Sequence, residues 1–235
     1  MYDVLEKSLY EHLDELRSRL IVVGIVLVLF FLVGLFVAPS IIRFMKDDLI
    51  LSNNVQIIAT SPVEFISAEI RIAMLVSIVL SFPVILYEAV VFVKPGLTPS
   101  ERYALKLIIP SFVLLFICGV VFAYFVFIKV ALLFLANLAT ISGIANLWSL
   151  AKFSSFVFYI ALALGLTFQL PLLMVMLRKF GIINLKLLAS KRRYVYVAML
   201  VLSAVITPPD VVTQLIVALP LIALYEVSLI VANFF

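Results

Sequence analysis

Long apolar runs separated by shorter polar segments dominate this sequence. Six such runs predict membrane-spanning helices over residues 20–38, 70–92, 107–128, 153–177, 194–206 and 215–231. A helix needs about 20 residues to cross the hydrocarbon core, so the last two spans are predicted to be short. The pattern therefore predicts an all-α, polytopic membrane protein that forms one membrane domain over residues 1–235.

The first 19 residues are polar but periodic. Leucines recur at steps of three and four residues from Leu5 to Leu20, which places them on one face of a helix, and five acidic residues lie off that face. This pattern predicts a cytoplasmic amphipathic helix over residues 1–19 that runs into the first span. Anionic lipid would not attract so acidic a segment, so the carboxylates need another explanation.

Two longer connections interrupt the apolar pattern. Residues 39–69 are predicted to form a loop, and residues 129–152 helical pieces at the membrane interface, anchored by Trp148. Prolines predict local structure as well. Pro83 is expected to bend the second span, and the TPPD sequence, with Pro208, Pro209 and Asp210, is expected to turn the chain between the last two spans.

The composition supports the membrane class and excludes others. Hydrophobic residues make up 66% of the chain and charged residues 13%, against about 45–50% and 25% in soluble domains. Thirty charged side chains, 17 basic and 13 acidic, could not keep so apolar a surface in water. A soluble domain, a disordered chain and a nucleic-acid-binding module are therefore excluded, and the bilayer is the expected surrounding.

The basic residues predict the orientation in the bilayer. With the N-terminus, the 94–106 loop and the 178–193 segment on one side, that side carries 12 of the 17 lysines and arginines, and the other side carries five. The positive-inside rule makes the first side cytoplasmic. Six spans then place the protein in the cell membrane with both termini in the cytoplasm.

Residues that commonly carry catalytic chemistry are scarce. The chain has one histidine, His12, and one cysteine, Cys118, which excludes a multi-histidine metal site and an internal disulfide. No phosphate-binding glycine loop occurs. We therefore predict no enzymatic activity, no cofactor and no metal.

Four polar side chains are candidates for binding or structural roles. Glu15 lies four residues before Arg19, so it could form an intrahelical ion pair, or it could join Glu101 in binding a cationic ligand through charge-assisted hydrogen bonds. Gln169 and Glu226 fall inside predicted spans, where polar groups usually meet a partner. Gln169 could bond a neighbouring helix of this chain or an external one, and Glu226 is expected to be structural and interfacial.

Several sequence blocks together resemble one family. These are EHLDELRSRL at 11–20, TSPVEF at 60–65, FPVILYE with FVKPGLTPSER at 82–102, GLTFQLP at 165–171 and TPPDVVTQ at 207–214. Their identity and order resemble TatC, the polytopic core component of the twin-arginine protein translocase. The resemblance implies six spans in a concave, glove-like arrangement. It also implies recognition of twin-arginine signal peptides, export of folded proteins driven by the proton-motive force, and single-span TatA/TatB-type partner proteins.

The resemblance also implies roles for residues in the matching blocks. Glu15 and Glu101 would bind the arginine pair, and Arg17, Arg19 and Phe92 would shape the same surface. Gln169 and Pro171 would dock a partner helix, and a homo-oligomer in the translocase is compatible with the family. Two positions depart from it: the family commonly has glutamate at the position of Gln169 and glutamine at that of Glu88.

Two other function classes compete with this interpretation. Intramembrane polar groups and kinked helices would also suit a proton- or ion-coupled small-solute transporter. Such transporters usually contain paired repeats, whereas the last two spans here are too short to mirror the first two. A structural membrane scaffold is the third alternative, and it would leave Glu101 unexplained.

Overall fold

The computed structural model describes residues 2–53, 55–93, 99–143, 147–179, 190–206 and 211–234. The elements follow in the order α1 (Tyr2–Asn53), β1 (Gln56–Ile58), α2 (Pro62–Val93), α3 (Pro99–Phe122), a π-helical segment (Ala123–Ile128), α4 (Lys129–Ile141), β2 (Leu147–Ser149), α5 (Leu150–Thr167), α6 (Leu170–Lys179), α7 (Arg192–Ile206) and α8 (Val211–Phe234). The predicted all-α class is confirmed, with one short parallel strand pair added.

Among these described residues, five helical stretches are long and apolar enough to cross a membrane: 13–48, 62–93, 109–141, 150–178 and 211–231. Four of the six predicted spans lie within these stretches, and the predicted span 107–128 overlaps the third stretch except for its first two residues. The sixth corresponds to α7, whose 15 residues reach about 22 Å, short of the roughly 30 Å hydrocarbon core.

The final span is longer than its apolar run indicated. α8 has 24 residues, so the expectation that both of the last spans are short holds for α7 alone. The helix begins at Val211 and includes Thr213 and Gln214 because these polar side chains are satisfied inside the protein. Thr213 is fully buried, and the Gln214 amide donates to the Leu200 carbonyl of α7 at 3.0 Å.

The predicted loop over residues 39–69 is largely helical, so that expectation was wrong. Residues 129–152 contain the predicted helical structure, but α4 continues α3 instead of forming a separate piece. α1 continues through Pro39 to Asn53, because Ala38, Ile42 and Met45 keep a buried face at helical spacing. α3 likewise continues through the π-helical segment into α4. There Lys129 does not end the helix, because its ammonium pairs with Asp48 at 2.9 Å.

Small residues let the helices approach closely at two crossings. A Cβ added to Gly34 of α1 would lie 2.6 Å from the Ala73 carbonyl oxygen of α2. A Cβ on Gly119 of α3 would lie 2.8 Å from the Gly165 Cα of α5. The core extends between these crossings, and its buried side chains come from α1, α2, α4, α5, α8 and the π-helical segment. Close backbone contact of this kind is typical of helix packing in membranes.

The strand pair joins two connections that are distant in the sequence. β1 and β2 pair in parallel, with Gln56 opposite Leu147 and Ile58 opposite Ser149. Glu64, in the first turn of α2, accepts hydrogen bonds from the Thr60 hydroxyl and from the Ser149 hydroxyl, which is the N-cap of α5. The pair therefore ties the start of α2 to the start of α5.

Candidate functional site

A charged cluster joins α1 to α2 near the start of the first span. The Arg19 guanidinium donates to Glu15 one turn earlier, through Nη2 at 2.5 Å and Nε at 3.1 Å. Its Nη1 donates to Glu88 of α2 at 2.8 Å. One guanidinium therefore holds two carboxylates, one on each of two antiparallel helices.

The partial burial of the cluster strengthens these contacts. The exposed fractions of the side chains are 22% for Arg19, 34% for Glu15 and 15% for Glu88. Water screens such a pair less than it screens a fully exposed one, and the fork of the guanidinium fits carboxylates well. Two carboxylates share one internal cation, so the three groups carry a net charge of −1.

A cavity of about 270 Å³ lies beside the cluster, and Arg19 and Glu88 form its charged part. The remaining walls are apolar and come from α1 and α2: Leu16, Leu20, Val23, Ile85, Ala89, Phe92 and Val93. The site thus combines carboxylates with an apolar wall. This combination suits a segment that carries a cationic side chain next to apolar ones.

The structure brings together only part of the predicted binding surface. Glu15, Arg19 and Phe92 lie around this site. Arg17 is two residues from Arg19 and therefore points elsewhere; it lines a separate, open depression with Tyr10, Leu13 and Asp14. Glu101 belongs to the first turn of α3, and its side chain lies outside the described part of the chain.

The fourth apolar stretch is interrupted at Gln169. α5 ends at Thr167 and α6 begins at Leu170, immediately before Pro171, which cannot donate a backbone hydrogen bond. Gln169 is 9% exposed, and its amide donates to the Gly165 carbonyl at 3.2 Å. Its side-chain oxygen is buried and has no partner within the described residues. This residue therefore offers one unused hydrogen-bond acceptor at a helix break.

The residues predicted to have structural roles are Glu226, Pro83 and the TPPD residues, and the structure describes only the first two of these. Glu226 of α8 accepts from the Tyr196 hydroxyl at 2.6 Å and pairs with Arg192 at 3.4 Å, so it connects α7 to α8. Pro83 lies inside α2, which continues through it without interruption. Pro208, Pro209 and Asp210 lie outside the described residues. In the described part of the chain, no cluster of three or more histidine, cysteine or acidic residues could hold a metal ion.

Sequence reasoning missed two partners. In the sequence, Glu88 differs from the family pattern only by its residue type, yet in the structure it forms the interhelical ion pair with Arg19. No sequence pattern indicates a partner for Asp48, although it accepts from Lys129 at 2.9 Å and from the Tyr124 hydroxyl at 3.1 Å. The sequence signal for this pair is the lone Lys129 between apolar residues, which indicates a partly buried acidic partner.

Comparison with known proteins gives consistent similarities. Residues 11–220 match the family described as "Sec-independent protein translocase protein (TatC)". The chain is 37% identical over 228 residues to the Sec-independent protein translocase protein TatC of Listeria innocua, covering 97% of this chain and 92% of that protein. It is 35% identical over 231 residues to the TatC protein of Escherichia coli, covering 97% and 89%.

Solved structures resemble the whole fold. A structure described as "Crystal Structure of Twin Arginine Translocase Receptor- TatC" superimposes with a TM-score of 0.86 at 34% identity, covering 95% of this chain and 98% of that one. A second structure of this receptor in DDM gives the same TM-score at 35% identity, with 93% and 98% covered. The similarity therefore extends over more than nine-tenths of the chain and is not limited to one motif.

Proposed function

Because the chain belongs to the TatC family of Sec-independent protein translocase proteins, we propose that it is the receptor subunit for twin-arginine signal peptides in its translocase. Family membership makes it a multi-pass membrane protein and a translocase component rather than an enzyme. It also argues against the small-solute transporter considered above.

The observation that supports peptide recognition most directly is the Arg19 cluster. Glu15 and Glu88 already hold a guanidinium at 2.5–3.1 Å, so their geometry suits the side chain that a twin-arginine peptide presents. The adjacent cavity supplies apolar contact through Phe92. Glu101, in the first turn of α3, is proposed as a further carboxylate for the second arginine. Bidentate bonds explain why arginine would be selected over lysine.

Photocrosslinking of a signal peptide to the protein in membranes tests this proposal. Glu15→Ala and Glu101→Ala should each lower crosslinking of a twin-arginine peptide about ten-fold or more, because each loses charge-assisted hydrogen bonds worth about 1.5–3 kcal/mol. Asp14→Ala is the matched control, because Asp14 lines the separate depression on α1. A twin-lysine peptide should crosslink weakly to every variant.

Unchanged crosslinking in both glutamate variants would show that these acids are ordinary solvated charges. Loss of crosslinking in Asp14→Ala as well would point to a general charge effect instead of a defined site.

Gln169 is proposed as the docking point for the single span of a TatA/TatB-type partner. Its unused oxygen can accept a hydrogen bond from a polar side chain on an incoming helix. Bonds of this kind contribute about 0.6–2 kcal/mol in membranes, so docking should be weak and reversible. The amide does not titrate, so this residue would hold a partner without carrying a proton. The proton-motive force would then act elsewhere in the complex.

Partner recruitment tests the role of Gln169. Gln169→Leu should reduce co-purification of the partner and leave peptide crosslinking at the Arg19 cluster intact, whereas Gln169→Glu should support export. Normal export by Gln169→Leu would contradict the docking role. Loss of peptide crosslinking in the same variant would indicate a folding defect.

A further inference from the structure

A second cavity lies at the opposite end of the α1–α2 pair from Arg19 and Glu88. It has a volume of about 430 Å³ and lies between the strand pair and helices α4 and α5. Ten residues line it: Ile58, Thr60, Leu132, Leu135, Leu147, Trp148, Ser149, Lys152, Phe153 and Phe156. The volume is in the range of small-molecule sites, and most of the lining is apolar.

The polar lining residues form two groups with different roles. The hydroxyls of Thr60 and Ser149 donate to the Glu64 carboxylate, so they serve the connection between α2 and α5. Lys152 and Trp148 differ, because neither the ammonium nor the indole N–H has an acceptor within the described residues. Lys152 is exposed and is the one charged residue among the ten. Glu64 is the nearby acid, and it is engaged by those hydroxyls rather than by Lys152.

We infer that this cavity binds an anionic phospholipid, with an acyl chain among Leu135, Phe153 and Phe156 and the phosphate on Lys152 and Trp148. The apolar wall matches a hydrocarbon chain. The two donors, which have no acceptor in the part of the chain that the structure describes, match an anionic headgroup. A tryptophan and a lysine are typical of the level where headgroups meet hydrocarbon. This inference is independent of the peptide site at the other end of the helices.

The chain provides its own probe, because Trp148 is its one tryptophan. The full-length protein is reconstituted in vesicles of phosphatidylcholine mixed with increasing fractions of phosphatidylglycerol carrying brominated acyl chains, which quench indole fluorescence on contact. The reciprocal series uses brominated phosphatidylcholine. Non-selective lipids around the protein quench equally in both series, so the difference between the two measures headgroup preference at Trp148.

We expect about a five-fold preference for phosphatidylglycerol, the effect of one basic side chain near a headgroup. Lys152→Gln should abolish this preference while leaving the quenching by brominated phosphatidylcholine unchanged. Lys46→Gln is the matched control, because Lys46 is an exposed lysine toward the same end of α1 and does not line the cavity. Leu135→Phe, which fills the cavity, should reduce quenching by both lipids.

Equal quenching by the two brominated lipids in the unaltered protein would overturn the inference. So would a preference that Lys152→Gln leaves intact. A preference that millimolar inorganic phosphate removes would assign the site to a free anion instead of a lipid. None of these outcomes depends on signal-peptide binding.

Discussion

The crossing of α3 and α5 allows a sharp test of how close backbone contact holds this bundle together. Gly119→Ala adds one methyl group, whose carbon would lie 2.8 Å from the Gly165 Cα and 2.9 Å from the Leu164 carbonyl oxygen. Carbon atoms pack at about 3.5–4.0 Å, so the two helices must separate by roughly 1 Å. These two atoms belong to the backbone, and the third close atom is the Phe168 Cβ at 3.0 Å, which does not move when its side chain rotates. No side-chain rotation can therefore relieve the overlap.

The expected cost follows from two opposing terms. Overpacking of a tight contact destabilises by about 1–3 kcal/mol. Alanine is the better helix former by about 1 kcal/mol, which offsets part of that loss. Gly119→Ala should therefore lower the free energy of unfolding by up to about 2 kcal/mol. Separation of the helices also displaces the Gly165 carbonyl, which accepts from Gln169, so partner docking should weaken too.

Gly24→Ala is the matched control for this experiment. Nothing lies within 4 Å of a Cβ built on Gly24, so this substitution has the gain in helix propensity without the overlap. Stability is measured as the loss of the monodisperse species on heating in detergent, with helicity from circular dichroism. We expect Gly24→Ala to be neutral or stabilising and Gly119→Ala to unfold at lower temperature. Equal stability of the two variants would refute the argument that this crossing requires glycine.

Two further predictions concern the partly buried Asp48–Lys129 pair and the topology. Asp48→Asn should destabilise the protein by about 1–3 kcal/mol in the same heating assay, because the Lys129 ammonium loses its charged partner. Adding Lys129→Met to this variant should recover much of the lost stability. If stability is not recovered, Asp48 acts through another contact, such as its hydrogen bond from Tyr124. Single cysteines at Ser52 and Ser100, in a Cys118→Ala background, should react with a membrane-impermeant reagent from opposite sides of the membrane, and labelling of both from the same side would contradict cytoplasmic termini.

The amino-acid sequence by itself determined the class, the approximate spans and the family. An apolar run of about 20 residues must be helical in lipid, because only a helix satisfies every backbone donor and acceptor within the segment. This local requirement explains why residues 20–38, 70–92 and 107–128 lie within helices, and why residues 153–177 are helical except at the break between α5 and α6. It also explains why α7, with its short apolar run, falls below spanning length. Glu15 and Arg19 were recognisable as neighbours because their spacing is one helical turn.

Only the tertiary structure decided where polar residues end or continue a helix. Lys129 and Gln214 look like ends of apolar runs, yet each lies in a continuous helix because a partner distant in the sequence satisfies it, Asp48 in one case and the Leu200 carbonyl in the other. Glu88 and Arg19 are 69 residues apart in the sequence, and the packing of α2 against α1 likewise makes them partners. A buried charge or amide is stable only beside its partner, and that pairing is a property of helix packing that no local pattern contains.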